Sequence, residues 1–79
     1  MTGEEVKNLI TKGLPGAKVE VTDTTGTGDH FKAVVIWNGF AGLGLVQQHK
    51  KVFESVGEYM TQEIHALQIK TLTPDQIGI

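Results

Sequence analysis

The sequence predicts a single α+β domain with the element order α-β-β-α-β. Three observations predict it: a capping box ahead of a short helical stripe, two strand-like runs flanking a polar loop, and a long amphipathic helix followed by a last strand-like run. Its 79 residues suffice for one small domain, residues 1–79, and are too few for two. We expect a three-stranded mixed sheet with both helices packed on one face.

The first helix should begin at a capping box. Thr2 can accept a hydrogen bond from the third helical N–H while Glu5 reaches back to the cap. An apolar stripe follows at helical spacing: Val6, Leu9 and Ile10. The helix should end at Lys12 or Gly13, with Gly13 suited to a left-handed C-cap.

Two strands follow a Pro15-Gly16 turn. Val19 and Val21 alternate with polar residues, which predicts a half-buried strand. Residues 23–29, DTTGTGD, form a loop by composition. The next run, HFKAVVIW over residues 30–37, is apolar enough for a central strand covered on much of both faces.

The longest helical pattern begins at Leu45. Its apolar face is predicted to contain Leu45, Val46, His49, Val52, Phe53, Val56 and Met60. Its opposite, solvent face is predicted to contain Gln47, Gln48, Lys50, Lys51, Glu54 and Glu58.

A third strand follows in the run IHALQIK, residues 64–70. His65, Leu67 and Ile69 should share one face of it. Because the second strand reaches the third through a helix, the two strands should be parallel. Thr73 and Pro74 resemble a further helix start, but we expect residues 73–79 to be a frayed tail.

Composition excludes several function classes. A formal charge of −2 does not supply the broad cationic surface of a phosphate-driven nucleic-acid binder. There is no cysteine, and the one serine, Ser55, lies in a helical pattern without a nucleophile elbow, so we predict that the protein is not an enzyme. No apolar run could span a bilayer, and the acidic N-terminus argues against a signal peptide. We expect a soluble protein without a membrane partner, in the cytoplasm or an organelle matrix after import, and not secreted.

Three histidines are the candidate functional residues. A ring on an apolar helical face is more often a hydrogen-bonded structural group than a ligand, so we assign His49 a structural role. For His65, inside the third strand run, ligand and structural roles stand about even. His30 ends a glycine-containing loop and could reach a ligand or be an ordinary exposed side chain. Three histidines alone form no recognisable zinc motif, so the isolated chain should bind no metal centre and a partner would have to supply thiolates.

A nucleic-acid interpretation rests on two features. Residues 39–42, GFAG, match the G-x-x-G loop of KH modules but lack its positive charge. Lys50 and Lys51, with Lys70, could form a small basic patch, although a solvated face is the simpler interpretation. Nucleic acid is therefore expected to be at most a weak ligand.

Taken together, the motifs resemble the BolA family over nearly the whole chain. The resemblance depends on four segments: GDHF at 28–31, Phe40-x-Gly42, VQQHKKVF at 46–53, and IHAL at 64–67 followed by Thr71-x-Thr73-Pro74. No single segment is specific, but their order and spacing are.

The resemblance implies a fold similar to type II KH domains and a non-enzymatic partnership with monothiol glutaredoxins in iron–sulfur trafficking or iron sensing. It implies that His65 is a ligand of a [2Fe–2S] cluster shared with the partner's cysteine and glutathione. A second ligand would come from the loop between the first two strands, where Thr27 occupies the position of the cysteine of other members and His30 is the nearby imidazole. Family members are also described as transcriptional or morphogenetic regulators, with DNA contact in the segment that contains Lys50 and Lys51.

Overall fold

A computed structural model describes residues 1–57, 59 and 66–78. The helices are α1 (Gly3–Gly13) and α2 (Leu45–Val56), and the strands are β1 (Lys18–Asp23), β2 (His30–Ile36) and β3 (Ala66–Leu72). Two 3₁₀ turns cover Asn38–Phe40 and Pro74–Ile77. The predicted order α-β-β-α-β is confirmed. In the described part of the chain, no helix has the length and apolar character needed to cross a membrane.

The three strands form one sheet in the order β1-β2-β3. The β1 and β2 strands are antiparallel, with Val19 opposite Val35. The β2 and β3 strands are parallel, with Phe31 beside Leu67. The mixed sheet and the central position of β2 are therefore as predicted.

The core lies between the two helices and one face of this sheet, here called the inner face. From the inner face, alternate residues of β2 point into the core: Phe31, Ala33 and Val35. Val6 and Ile10 of α1 and Val52 and Val56 of α2 meet them with at most 1% of their surface exposed. Burial of these side chains is the main source of stability in a chain without disulfides.

The start of α1 and its end at Gly13 are as predicted, but the predicted left-handed C-cap is wrong. Thr2 Oγ1 accepts from Glu5 N, and Glu5 Oε1 accepts from Thr2 N, each at 3.1 Å. Gly13 does not adopt the left-handed conformation expected of a C-cap. Its role is close packing, because a Cβ at Gly13 would lie 2.5 Å from the Cβ of Ser55 in α2. The two helices approach each other at this glycine.

The predicted apolar face of α2 is only partly correct. Val52 and Val56 are buried, whereas Leu45 is 62% and Val46 is 82% exposed. Phe53 is also exposed, and Met60 lies outside the described residues.

A polar contact accompanies this orientation of α2. Gln48, predicted to face solvent, is half-buried, and its Oε1 accepts a 2.6 Å hydrogen bond from Thr71 Oγ1 of β3. Its Nε2 donates to the Leu43 carbonyl at 2.8 Å. The face that contains Gln48 and Val52 is therefore turned inward, and the flank with Val46 is turned outward.

The prediction that β2 is covered on much of both faces is wrong for one of them. Burial alternates along the strand, so that Phe31, Ala33 and Val35 are buried while Lys32 is exposed and Val34 is half-buried. Both helices pack on the inner face. The second face of the sheet, here called the open face, is not covered by either of them.

The described C-terminal residues form a short capped turn. Thr73 is the N-cap and Pro74 the first residue of the 3₁₀ turn, as predicted, and Gln76 completes a capping box. Ile77 is 39% exposed. The predicted fraying of residues 73–79 stays a prediction.

Candidate functional site

The loop between β1 and β2 is organised by one carboxylate. Asp23 Oδ1 accepts from Gly26 N at 2.9 Å and from Thr25 N at 3.3 Å, and Oδ2 accepts from Gly28 N at 2.9 Å. Gly26 and Gly28 have φ values of 76° and 78°, a region that favours glycine. The loop is therefore held in a defined conformation by the last residue of β1.

A chain of side-chain hydrogen bonds leads from this loop to His30. The hydroxyls of Thr25 and Thr27 are 2.6 Å apart, and Thr27 Oγ1 donates to Asp29 Oδ1. The same Asp29 oxygen lies 2.8 Å from His30 Nδ1. A carboxylate at one ring nitrogen fixes the orientation of an imidazole, and metal-bound histidines commonly have such a partner. The Asp29 carboxylate therefore orients the His30 ring at the edge of the loop.

The position of His30 in β2 determines from which side it can be reached. Because side chains alternate along a strand, His30 shares the open face with Lys32, Val34 and Ile36. Its side chain is 41% exposed. A molecule that binds this ring therefore approaches from the open face or from the neighbouring loop.

His65, the principal candidate ligand, lies outside the described residues, as does Ile64. The residue that follows it, Ala66, is paired with His30 and donates its backbone N–H to the Asp29 carbonyl at 3.2 Å. The start of β3 is thus placed beside His30. The assignment of His65 as a ligand stays a prediction.

The other candidate residues are in two places. Thr27 lies in the loop, exposed and linked to His30 through Asp29. Lys50 and Lys51 are exposed on α2, in the helical layer, so the structure does not bring them to the open face with His30. His49 is half-buried in α2, and its ring makes none of the hydrogen bonds found between described residues. Its structural role stays a prediction.

Sequence reasoning missed Asp23 and Asp29 as organising residues. The signal was present, because an aspartate followed by glycines three and five positions later is typical of a side chain that caps its own turn. It also missed Gln48, since a glutamine on a helix is ordinarily assigned to solvent.

Neither of two surface hollows contains a histidine. One, of about 270 Å³, has Leu9, Lys12 and Tyr59 in its lining. The other, of about 540 Å³, lies between α1 and β1 and includes Lys7 and Lys18. Within residues 1–57, 59 and 66–78, no three His, Asp or Glu side chains are grouped as a metal site.

Comparison with known proteins identifies the class. The family described as "BolA: BolA-like protein" matches residues 10–76, and the chain therefore belongs to the BolA family. A BolA protein homologue from Coxiella burnetii has a similar structure, with a TM-score of 0.86 and 35% identity over 100% of this chain and 99% of that one.

Two curated relatives illustrate the similarity, and the name of the second states a function. Human BolA-like protein 2 is 35% identical over 78 residues, which cover 96% of this chain and 90% of the relative. The DNA-binding transcriptional regulator BolA of Haemophilus influenzae is 31% identical over 51 residues, covering 65% of this chain and 50% of the regulator.

Proposed function

We propose that this BolA-family protein is a non-enzymatic partner of a monothiol glutaredoxin, and that the pair binds and transfers a [2Fe–2S] cluster in iron–sulfur assembly or iron regulation. His65 and His30 would be the ligands from this chain. Glutathione and the partner's cysteine would supply the thiolates. The observation that carries the proposal is the carboxylate-held imidazole of His30 at the start of β2, in a chain that belongs to the BolA family.

The surroundings of His30 fit a ligand better than those of His49. Asp29 engages Nδ1 at 2.8 Å and so orients the ring, as a carboxylate partner commonly does for a metal-bound histidine. Thr27 donates to the same carboxylate and restricts its movement. Holding a ligand before the cargo arrives lowers the ordering cost of binding.

The thiolates have to come from another molecule, because the sequence contains no cysteine. A cluster held by both histidine and thiolate has a higher reduction potential than one held by thiolates alone. The heterocomplex should therefore differ from a glutaredoxin homodimer both spectroscopically and in the ease with which its cluster is reduced.

The test is reconstitution with a monothiol glutaredoxin, glutathione, iron and sulfide. We expect visible absorption and circular dichroism spectra distinct from those of the glutaredoxin homodimer. His65→Ala should remove most of this difference, and His30→Ala should shorten the lifetime of the cluster. His49→Ala is the matched control and should leave both unchanged.

Two results would count against the proposal. If His65→Ala and His30→Ala both form the wild-type heterocomplex with an unchanged spectrum and lifetime, neither residue is a ligand. If the wild-type protein leaves the glutaredoxin spectrum unaltered and does not bind the apo partner, the partnership itself is wrong.

A second candidate function is nucleic-acid binding, which the name of the H. influenzae relative and the exposed Lys50 and Lys51 favour. The GFAG segment offers little support, because its Phe40 is fully buried in the core. This function requires an affinity that falls steeply with salt and weakens in Lys50→Gln/Lys51→Gln. A gel-shift assay at low ionic strength with no bound duplex would eliminate it.

A further inference from the structure

The open face of the sheet combines half-buried aliphatic side chains with lysines. Rows of paired residues cross the three strands: Lys18, Ile36 and Leu72; Glu20, Val34 and Lys70; Thr22, Lys32 and Gln68; and His30 with Ala66. Val34, Ile36 and Leu72 are half-buried, and the lysines around them are exposed.

The charge on this face is opposite to that of the rest of the protein. Three of the seven lysines lie on it, together with one acidic residue, Glu20. The remainder of the chain has four lysines and eight acidic residues, a formal charge of −4. A protein with net negative charge therefore presents a locally positive sheet surface.

The composition of the face indicates the chemistry of its occupant. Aliphatic side chains surrounded by charged ones match a protein interface, with an apolar centre and a polar rim. No Phe, Tyr or Trp lies on the open face of β1–β3, whereas sheets that bind single-stranded nucleic acids use such rings for stacking. A second copy of the same face would bring lysines against lysines. The complementary partner is a protein surface with aliphatic groups and carboxylates.

His30 connects this face to the proposed function. The ring lies at one end of the face, two residues before Lys32, so a protein that supplies thiolates to a cluster on His30 would extend over Lys32 and Lys70. We propose that the open face is the docking surface for the thiol-bearing partner, which would present an acidic, partly aliphatic surface next to its ligand cysteine. This inference rests on the proposed function and adds where the partner binds and what its surface is like.

The area of the open face limits the affinity expected for a partner that docks on it. Three strands of six or seven residues, about 4.8 Å apart with about 3.3 Å per residue, give a footprint of roughly 300 Å². That is well below the roughly 800 Å² per partner of a standard interface, so docking on the sheet alone should be transient. The bridging cluster near His30 would then stabilise the complex.

The experiment compares two lysine pairs with equal change of charge. The affinity of wild type, Lys32→Glu/Lys70→Glu and Lys50→Glu/Lys51→Glu for an apo monothiol glutaredoxin is measured by calorimetry, and the backbone amides of β1–β3 are followed by NMR. The open-face pair should weaken binding about five- to thirtyfold, and the α2 pair by less than about twofold. If charge reversal disturbs the fold, Lys32→Gln/Lys70→Gln should still weaken binding with the amide spectrum preserved.

Failure of the docking surface and failure of the proposed function give different results. If wild type binds and shares a cluster, but only the α2 pair weakens binding, the docking surface is wrong and the proposed function stands. If neither lysine pair changes the affinity while His30→Ala destabilises the cluster, the open face is again excluded as the docking surface. If wild type neither binds the glutaredoxin nor alters its cluster, both proposals fall.

Discussion

The two faces of β2 have different surroundings, although both come from the same seven residues. On the inner face, Phe31, Ala33 and Val35 are each at most 1% exposed and pack under the two helices. On the open face, His30 and Lys32 lie on a surface that neither helix covers. Side-chain alternation separates the two sets by one residue at every step.

Substitutions on the inner face should therefore affect folding, and substitutions on the open face should affect binding. A residue on the inner face contributes mainly through burial, so that truncating it leaves a cavity. A residue on the open face loses little on truncation, because solvent already reaches it. Four substitutions test this separation, in order of their expected effect on the free energy of unfolding.

The largest effect is expected from Phe31→Ala. Phe31 is 1% exposed, and its loss should lower the free energy of unfolding by about 3–5 kcal/mol, enough to unfold much of so small a domain. Urea denaturation followed by circular dichroism measures it. Val34→Ala, on the open face of the same strand, is the matched control and should cost no more than about 1 kcal/mol. Equal losses for both would mean that the open face is covered.

The next largest effect is expected where α1 packs closely against α2. Gly13→Ala places a Cβ 2.5 Å from the Cβ of Ser55, so the helices must separate, at a cost of about 1–3 kcal/mol. Thermal unfolding is the measurement. Gly3→Ala is the control in the same helix, because its Cβ would make only ordinary contact with Val21, at 3.6 Å, and alanine favours helix. A Gly13→Ala variant at least as stable as wild type would contradict the close approach.

A smaller effect is expected at the polar contact between α2 and β3. Thr71 is 6% exposed, and Thr71→Val removes the donor that pairs with Gln48 Oε1. The variant should lose about 1–2 kcal/mol of stability, because a part-buried acceptor is left without its bond. Thr22→Val, exposed on the open face, should change stability by less than about 0.5 kcal/mol. Equal shifts of the denaturant midpoint in both variants would show that the hydrogen bond between Thr71 and Gln48 does not contribute to stability.

The smallest effect on stability is expected from Lys32→Gln. The side chain is exposed in the centre of the open face, and its replacement should change the free energy of unfolding by less than about 0.5 kcal/mol. Chemical denaturation and glutaredoxin binding should be measured on the same preparation. A variant with wild-type stability and reduced affinity supports a binding role for the open face. A variant that loses stability but keeps full affinity contradicts that role.

Most of the fold could be predicted from local signals. The capping box at Thr2, the alternation in β1 and the apolar run of β2 each determine an element without reference to the others. The rotation of α2 could not be predicted, because the contact between Gln48 and Thr71 joins residues 23 positions apart and forms only when α2 packs on β3. Gly13 was assigned to the wrong role for a similar reason, since only the packed helices bring Ser55 next to it.

The candidate site was less accessible to sequence reasoning than the fold. His30 could be identified as a possible ligand, but its link to Asp29 and Thr27 depends on the conformation that Asp23 imposes on the loop. The open face could not be recognised either, because its lysines and aliphatic residues come from three strands and are brought together only by their register.

The ring resonances of the three histidines report whether an iron–sulfur cluster binds at the end of the open face, next to His30. The chain, with ¹⁵N-labelled histidine, is observed by NMR before and after addition of a glutaredoxin that holds a [2Fe–2S] cluster. We predict that the His30 and His65 signals broaden far more than the slower tumbling of the complex requires, because of the nearby iron ions, while His49 broadens only with the size of the complex. Broadening of His49 with an unchanged His30 would contradict the account.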